Sequence, residues 1–108
     1  MANPSNPLGA MVGLGGDYAI AAGTTPTTGL IFSHIYITSD AVVSACNVGD
    51  VSTSTGTPVL GTASSVITSR HYTGTLKTGY LICAGENKGI KSDFKLTSGS
   101  AEGILFKA

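Results

Sequence analysis

Short apolar stretches recur along this chain and alternate with segments rich in Gly, Ser, Thr and Asn. The strongest stretch, residues 29–38, carries apolar side chains on both faces of an extended strand, which predicts a central strand covered on each side. No segment sustains a helical period beyond one turn. The spacing therefore predicts an all-β fold, a small β-sandwich or barrel of about seven to nine short strands.

Alternation bounded by turn residues locates the individual strands. We expect them at residues 17–22, 29–38, 41–46, 59–60, 65–69, 72–76 and 80–85. Turns or loops are expected around Pro26, at Asp40, over the polar residues 47–56 and over residues 86–89, with Gly61 and Gly74 marking turns or bulges.

The C-terminal end of the chain has the pattern of a β-hairpin. Phe94 and Leu96 share one face of its first strand, and the Gly/Ser segment 97–100 supplies the turn. Ile104 and Phe106 then alternate in a second strand, where we expect them to close the core. The hairpin predicts that the chain is β almost to its last residue.

The two ends of the chain differ in character. Residues 1–16 hold two prolines and a Gly-Leu-Gly-Gly run and show no periodicity, which predicts an extended N-terminal arm. We expect residues 17–108 to form one β domain, since a chain of this length buries roughly two-thirds of its unfolded surface and leaves no room for a second core.

Charge is sparse and balanced. The formal net charge is zero, and 11% of residues are charged. Binding to nucleic acid or to an anionic membrane needs several basic residues acting together, so neither partner is expected. The chain also lacks a run of about 20 apolar residues and a basic N-terminal leader, so we expect no membrane partner and synthesis in the cytoplasm.

Two histidines and two cysteines are candidate ligands for a tetrahedral zinc ion. His34 precedes Cys46 by the same interval that separates His71 from Cys83. Structural zinc sites place paired ligands two to four residues apart, and this spacing is missing, so we expect neither metal nor cofactor. Both cysteines stand in apolar sequence and are expected to be structural thiols, with a disulfide between them left open.

Catalytic motifs are missing from the sequence. A serine nucleophile in a GxSxG context is absent. Most carboxylates stand beside turn residues, where Asp hydrogen-bonds its own backbone, and we expect that role for them instead of acid–base catalysis. The chain is therefore predicted not to be an enzyme. The six carboxylates are Asp17, Asp40, Asp50, Glu86, Asp93 and Glu102.

The stretch between Tyr72 and Ala108 resembles the final third of a family of small tailed-bacteriophage structural proteins. That family has a TG-x-L-x-AG-x-x-I-x-G strand and turn, which Thr73, Gly74, Leu76, Gly79 and Ile82 match. Its terminal pattern of aromatic, Leu, Ser-Gly, Ile and aromatic is fitted with altered spacing by Phe94, Leu96, Ser98, Gly99, Ile104 and Phe106.

The resemblance implies a virion component without catalytic residues. Its members are head decoration or cement proteins, or small parts of tail and fibre assemblies. We expect a decoration protein: a homo-oligomer, a trimer, that binds the major capsid protein on the capsid surface and stabilises the phage head. The alternative is a tail fibre or spike module that binds a host receptor through the loop at residues 47–58.

Contact with partners is expected first from the arm and second from the apolar strand at residues 30–37. The candidate contact residues are Asn3, Pro4, Pro7, Leu8, Met11, Leu14, Phe32 and Tyr36.

Overall fold

The structure, a computed structural model, describes residues 17–52, 59–61 and 67–106. Over these residues the chain is all-β, as predicted, and its strands form one antiparallel sheet. The strands are β1 (Asp17–Ala21), β2 (Ile31–Ala45), β3 (Asn47–Ser52), β4 (Val59–Leu60), β5 (Thr68–Ser69), β6 (Leu81–Cys83), β7 (Lys88–Lys91) and β8 (Lys95–Leu105).

Strand β2 lies in the middle of the sheet. One edge of β2 pairs with β8 along almost its whole length, from Phe32 opposite Leu105 to Ala45 opposite Lys95. Its other edge pairs with β7 near Ile31 and with β6 around Ile35. Strand β1 extends the sheet beyond β8, and β3, β4 and β5 extend it beyond β7. The prediction of a central strand at residues 29–38 is confirmed, but the strand continues through Asp40.

Two predicted turns are in fact the two sides of one β-bulge. Ser39 pairs with Ser100 and Val42 with Ser98, so Asp40 and Ala41 face Gly99 alone. Gly99 has a φ of 85°, a conformation that glycine adopts without a steric penalty. The bulge bends both strands without ending either. The hairpin predicted at residues 97–100 and the turn predicted at Asp40 are therefore wrong, and β2 and β8 are long strands of 15 and 11 residues.

Two further sequence predictions are wrong. The polar loop expected from residue 47 is strand β3 as far as Ser52, because Val48 is buried between Ile90 of β7 and Thr68 of β5. The strand expected at residues 72–76 is reduced to a single bridge between Leu76 and Ala41. The 1–16 arm and residues 53–58 of the predicted loop lie outside the described residues.

The core occupies one face of the sheet. Its fully buried side chains include Phe32, Ile35, Ile37, Ile82, Ile90, Phe94 and Leu96, in one cluster with Ile20 and Ala101. Register shifts between β2 and β8 allow Phe32 to share this face with Ile35 and Ile37, although strict alternation would separate them.

The other face of the same strands is distinct from this core. His34 pairs with Ile104 on β8 and Tyr36 pairs with Glu102, so these four residues project from the side opposite the cluster. Ile104 is fully buried there, and Phe106 is half-buried. Ile104 is thus buried, as expected, but it lies outside the main cluster, to which Ala101 and Leu105 belong. We call this side, formed by His34, Tyr36, Leu81, Cys83, Glu102 and Ile104, the outer face.

Candidate functional site

Hydrogen bonds from Arg70 attach the segment after β5 to the sheet. Its backbone N–H donates to the carbonyl oxygen of Cys46 at 2.8 Å, at the break between β2 and β3. Its guanidinium donates to the carbonyl oxygens of Cys83 at 3.1 Å and Ala84 at 3.0 Å. The planar fork of arginine suits such a pair of acceptors. Arg70 thus joins three segments that are distant in the sequence.

A second set of hydrogen bonds lies beside Arg70. The side-chain amide of Asn47 donates to Asp93 Oδ2 at 2.7 Å, and the hydroxyl of Ser69 donates to Asn47 Oδ1 at 2.7 Å. These bonds connect β3, β5 and the turn between β7 and β8. We call Cys46, Asn47, Ser69, Arg70 and Asp93 the polar joint. These hydrogen bonds cross-link the strands, because each one joins two different segments of the chain.

Cys46 lies buried at this joint. Burial raises the pKa of its thiol to about 11, while the nearby Arg70 cation works against the rise. Burial also raises the pKa of Tyr72, which packs against the core. Cys46 therefore stays protonated and poorly nucleophilic near neutral pH. The prediction of a structural thiol is confirmed for Cys46.

Cys83 has a different environment. Both cysteines are free, so they do not form the disulfide that the sequence left open, and Cys83 is exposed. It stands on β6 directly opposite His34 on β2. The expected role as a structural thiol does not fit Cys83, because its neighbours Ile82 and Ala84 turn inward and Cys83 itself faces outward.

His34 is half-buried on the outer face. Burial lowers its pKa below the usual 6.5, so the imidazole is neutral at neutral pH. Its Nδ1 is 2.8 Å from the hydroxyl oxygen of Ser33, whose own proton goes to the carbonyl oxygen of Ile104 at 3.2 Å. The hydroxyl of the preceding residue, Ser33, thereby orients the ring.

The four residues considered as zinc ligands do not come together. Within the described ranges, no group of three or more His, Cys, Asp or Glu side chains is placed to hold a metal ion. His34 and Cys83 face each other, whereas Cys46 lies in the polar joint and His71 is exposed on the segment after Arg70. The equal sequence interval therefore does not assemble a four-ligand site within this part of the chain.

Two carboxylates tie neighbouring segments together. Asp40 accepts hydrogen bonds from the backbone N–H and the hydroxyl of Thr78, both at 2.9 Å. These bonds and the ion pair with Lys77 lower its pKa. Asp50 on β3 pairs with Lys88 on β7. The expectation that Asp40 satisfies the backbone of its own turn is wrong, because it belongs to a strand and binds a different segment.

An apolar groove was not predicted from the sequence. It measures about 340 Å³ and is lined chiefly by Leu30, Ile31, Val59, Leu60 and Ile67, with Lys91 and Ser92 at its polar side. Val59 and Ile67 are 46% and 42% exposed, which is high for large apolar side chains. Both residues fall in short strands that the sequence predicts, and alternation alone does not indicate that these two side chains stay exposed. We call this surface the apolar groove.

The residues predicted to contact a partner lie in different environments. Asn3, Pro4, Pro7, Leu8, Met11 and Leu14 lie outside the described residues. Phe32 is fully buried in the core and presents no surface to a partner. Tyr36 is half-buried on the outer face, between Leu81 of β6 and Glu102 of β8.

Comparison with protein-family models, with curated proteins and with solved structures found no match for this chain. Over the described ranges, the chain forms no helix with the length and hydropathy to cross a membrane.

Proposed function

We propose that this chain is a non-enzymatic structural protein of a bacteriophage virion, a decoration protein that binds the major capsid protein and stabilises the head. The resemblance between residues 72 and 108 and small phage structural proteins suggests the setting. The observation that supports a binding role is the apolar groove, where Val59 and Ile67 remain exposed although most large apolar side chains of the described residues are buried.

The groove suits an uncharged, apolar segment. Residues 1–16 contain no acidic or basic side chain and carry Leu8, Met11 and Leu14 at three-residue intervals. We propose that this arm, extending from a second copy, lies in the groove and holds the homo-oligomer together, with a trimer as the expected state. Burial of apolar surface then stabilises the assembly.

Deletion of residues 2–16 tests the assembly. Size-exclusion chromatography with light scattering should give an oligomer for the full chain and a monomer for the deletion. Ile67→Asp should have the same effect by placing a charge in the groove, and Thr97→Asp, on the exposed side of β8, serves as the matched control. An oligomer that survives both changes would reject the arm and the groove as the contact.

Binding to phage heads tests the function itself. Purified protein should co-sediment with capsids that lack decoration and should raise their melting temperature, because a ligand that binds only the assembled state stabilises it. Failure to bind any head preparation would reject the decoration role. Copy number in purified virions separates this role from a tail component: decoration requires hundreds of copies per particle, and a receptor-binding tail module requires only tens.

A further inference from the structure

His34 on β2 and Cys83 on β6 are direct partners across an antiparallel pair. Such partners project from the same face with Cβ atoms roughly 4.5–5.5 Å apart. In a tetrahedral zinc site the sulfur and nitrogen ligands lie roughly 3.5 Å from each other, given metal–ligand distances of about 2.0–2.3 Å. Modest side-chain rotation therefore brings both donors to one ion. We propose that His34 and Cys83 form half of a zinc site, which a second copy of this chain completes.

The two side chains are prepared for this role in different ways. The contact with Ser33 occupies Nδ1 of His34 and leaves Nε2 for a metal, and ligating histidines are commonly oriented through the other nitrogen in this way. Burial keeps the ring neutral, the form that coordinates metals. Cys83 is exposed, so a metal ion reaches its sulfur. Zinc binding releases the thiol proton to solvent, and the thiolate becomes the ligand.

Two donors leave the coordination sphere half empty. Structural zinc sites have four protein ligands, and the residues described in this structure supply no third His, Cys, Asp or Glu beside the pair. A second copy placed around a two-fold axis brings an identical pair and gives a site of two sulfurs and two nitrogens. The accessible position of Cys83 on the outer face permits that approach.

Zinc titration of the purified full chain under reducing conditions tests the site. Calorimetry should give one zinc ion per two chains, and light scattering should show that the particle mass doubles and returns to its starting value with EDTA. Cys83→Ser and His34→Gln should each weaken binding at least tenfold and abolish the doubling. Cobalt should give a thiolate-to-metal absorption band that Cys83→Ser removes.

The chain supplies its own matched controls, since it has only two cysteines and two histidines. Cys46→Ala and His71→Gln should bind zinc as the unmodified protein does. If Cys83→Ser does not fold, alkylation of Cys83 in the folded protein replaces it and should block zinc. The site is rejected if no zinc binds, if binding survives the loss of Cys83, or if one zinc binds per chain without a change in mass. These outcomes are independent of capsid binding.

Discussion

Gly103 leaves the space that the ring of Phe32 fills. A Cβ atom at Gly103 would lie 2.5 Å from Cε1 and 2.6 Å from Cδ1 of Phe32. The ring cannot withdraw easily, because Phe32 is fully buried in the core cluster. The glycine on β8 and the aromatic ring on β2 therefore determine how closely these two strands and the core pack.

Gly103→Ala should destabilise the protein by about 1–3 kcal/mol, the usual cost of inserting a methyl group into a packed core. Urea unfolding measures the change, and Ser98→Ala, at an exposed position of the same strand, is the control. In a Phe32→Leu background the glycine substitution should cost less, since the contact that it violates is gone. Equal costs in the two backgrounds would contradict the packing explanation.

Gly99 is the residue that lets β8 continue through the bulge. It has a φ of 85°, and an added Cβ would meet the carbonyl oxygen of Asp40 and lie 2.6 Å from Cα of Ala41. Gly74 has a similar φ of 76° but open space around it. Both Gly→Ala changes carry the conformational cost of roughly 1–2 kcal/mol. Gly99→Ala should lose more than Gly74→Ala in urea unfolding, and similar losses would show that the close approach is unimportant.

The bulge also explains where prediction from sequence failed for the fold. Alternation predicted the all-β class, β1 and the start of β2, because these depend on local periodicity. Asp40 and Gly99 are typical turn residues, and a turn and a bulge require the same local backbone freedom. Only the pairing of Ser39 with Ser100, 61 residues away in sequence, decides that the strands continue.

The candidate sites were less predictable than the fold. The sequence supplied His34 and Cys83 as possible ligands, but their interval gave no indication that they are opposite each other. That contact depends on the register between β2 and β6, which the intervening residues and the rest of the sheet determine. The apolar groove likewise combines Leu30, Leu60 and Ile67 from separate segments, each unremarkable in its own context.

Arg70→Ala should weaken the attachment of the segment that follows β5. The guanidinium donates to two carbonyl oxygens. A hydrogen bond with a charged donor contributes about 1.5–3 kcal/mol to the free energy of unfolding, and this contribution is lost in the variant. Arg70 is an exposed residue, so we expect the lower part of that range in thermal or urea unfolding. Hydrogen exchange should rise at Ala84, whose backbone N–H donates to Ser33.

Lysine should not replace Arg70, because a single ammonium does not reproduce the planar fork. Lys77→Ala provides a comparison, since Lys77 is a cation with an 81% exposed side chain and should matter less. If Arg70→Lys were as stable as the unmodified protein, charge alone would explain the role of Arg70 and the two-carbonyl geometry would be irrelevant.

The two cysteines should differ sharply in reactivity. Cys83 is exposed and Cys46 is buried, so iodoacetamide should alkylate Cys83 in the folded protein and reach Cys46 only after unfolding. Peptide mass spectrometry before and after addition of guanidinium measures both sites. Rapid native labelling of Cys46 would contradict its placement in the polar joint.

Stability should fall at alkaline pH because of Cys46. Its thiol has an ordinary pKa of 9.0 and a folded-state pKa of about 11, since burial disfavours the thiolate. The unfolded chain therefore releases the proton first, so the stabilising contribution is complete below pH 9.0 and is lost as the pH rises toward 11. By about pH 10.5 the loss amounts to ~2 kcal/mol.

The pKa of Tyr72 is also raised, so its titration lowers the stability in the same direction as the pH rises. The informative quantity is therefore the difference in stability between the unmodified protein and Cys46→Ala. The variant should be less stable near neutral pH, because it loses buried volume, but its melting temperature should depend less on pH above about 9. Parallel melting curves for the two proteins over this range would contradict a buried, protonated thiol.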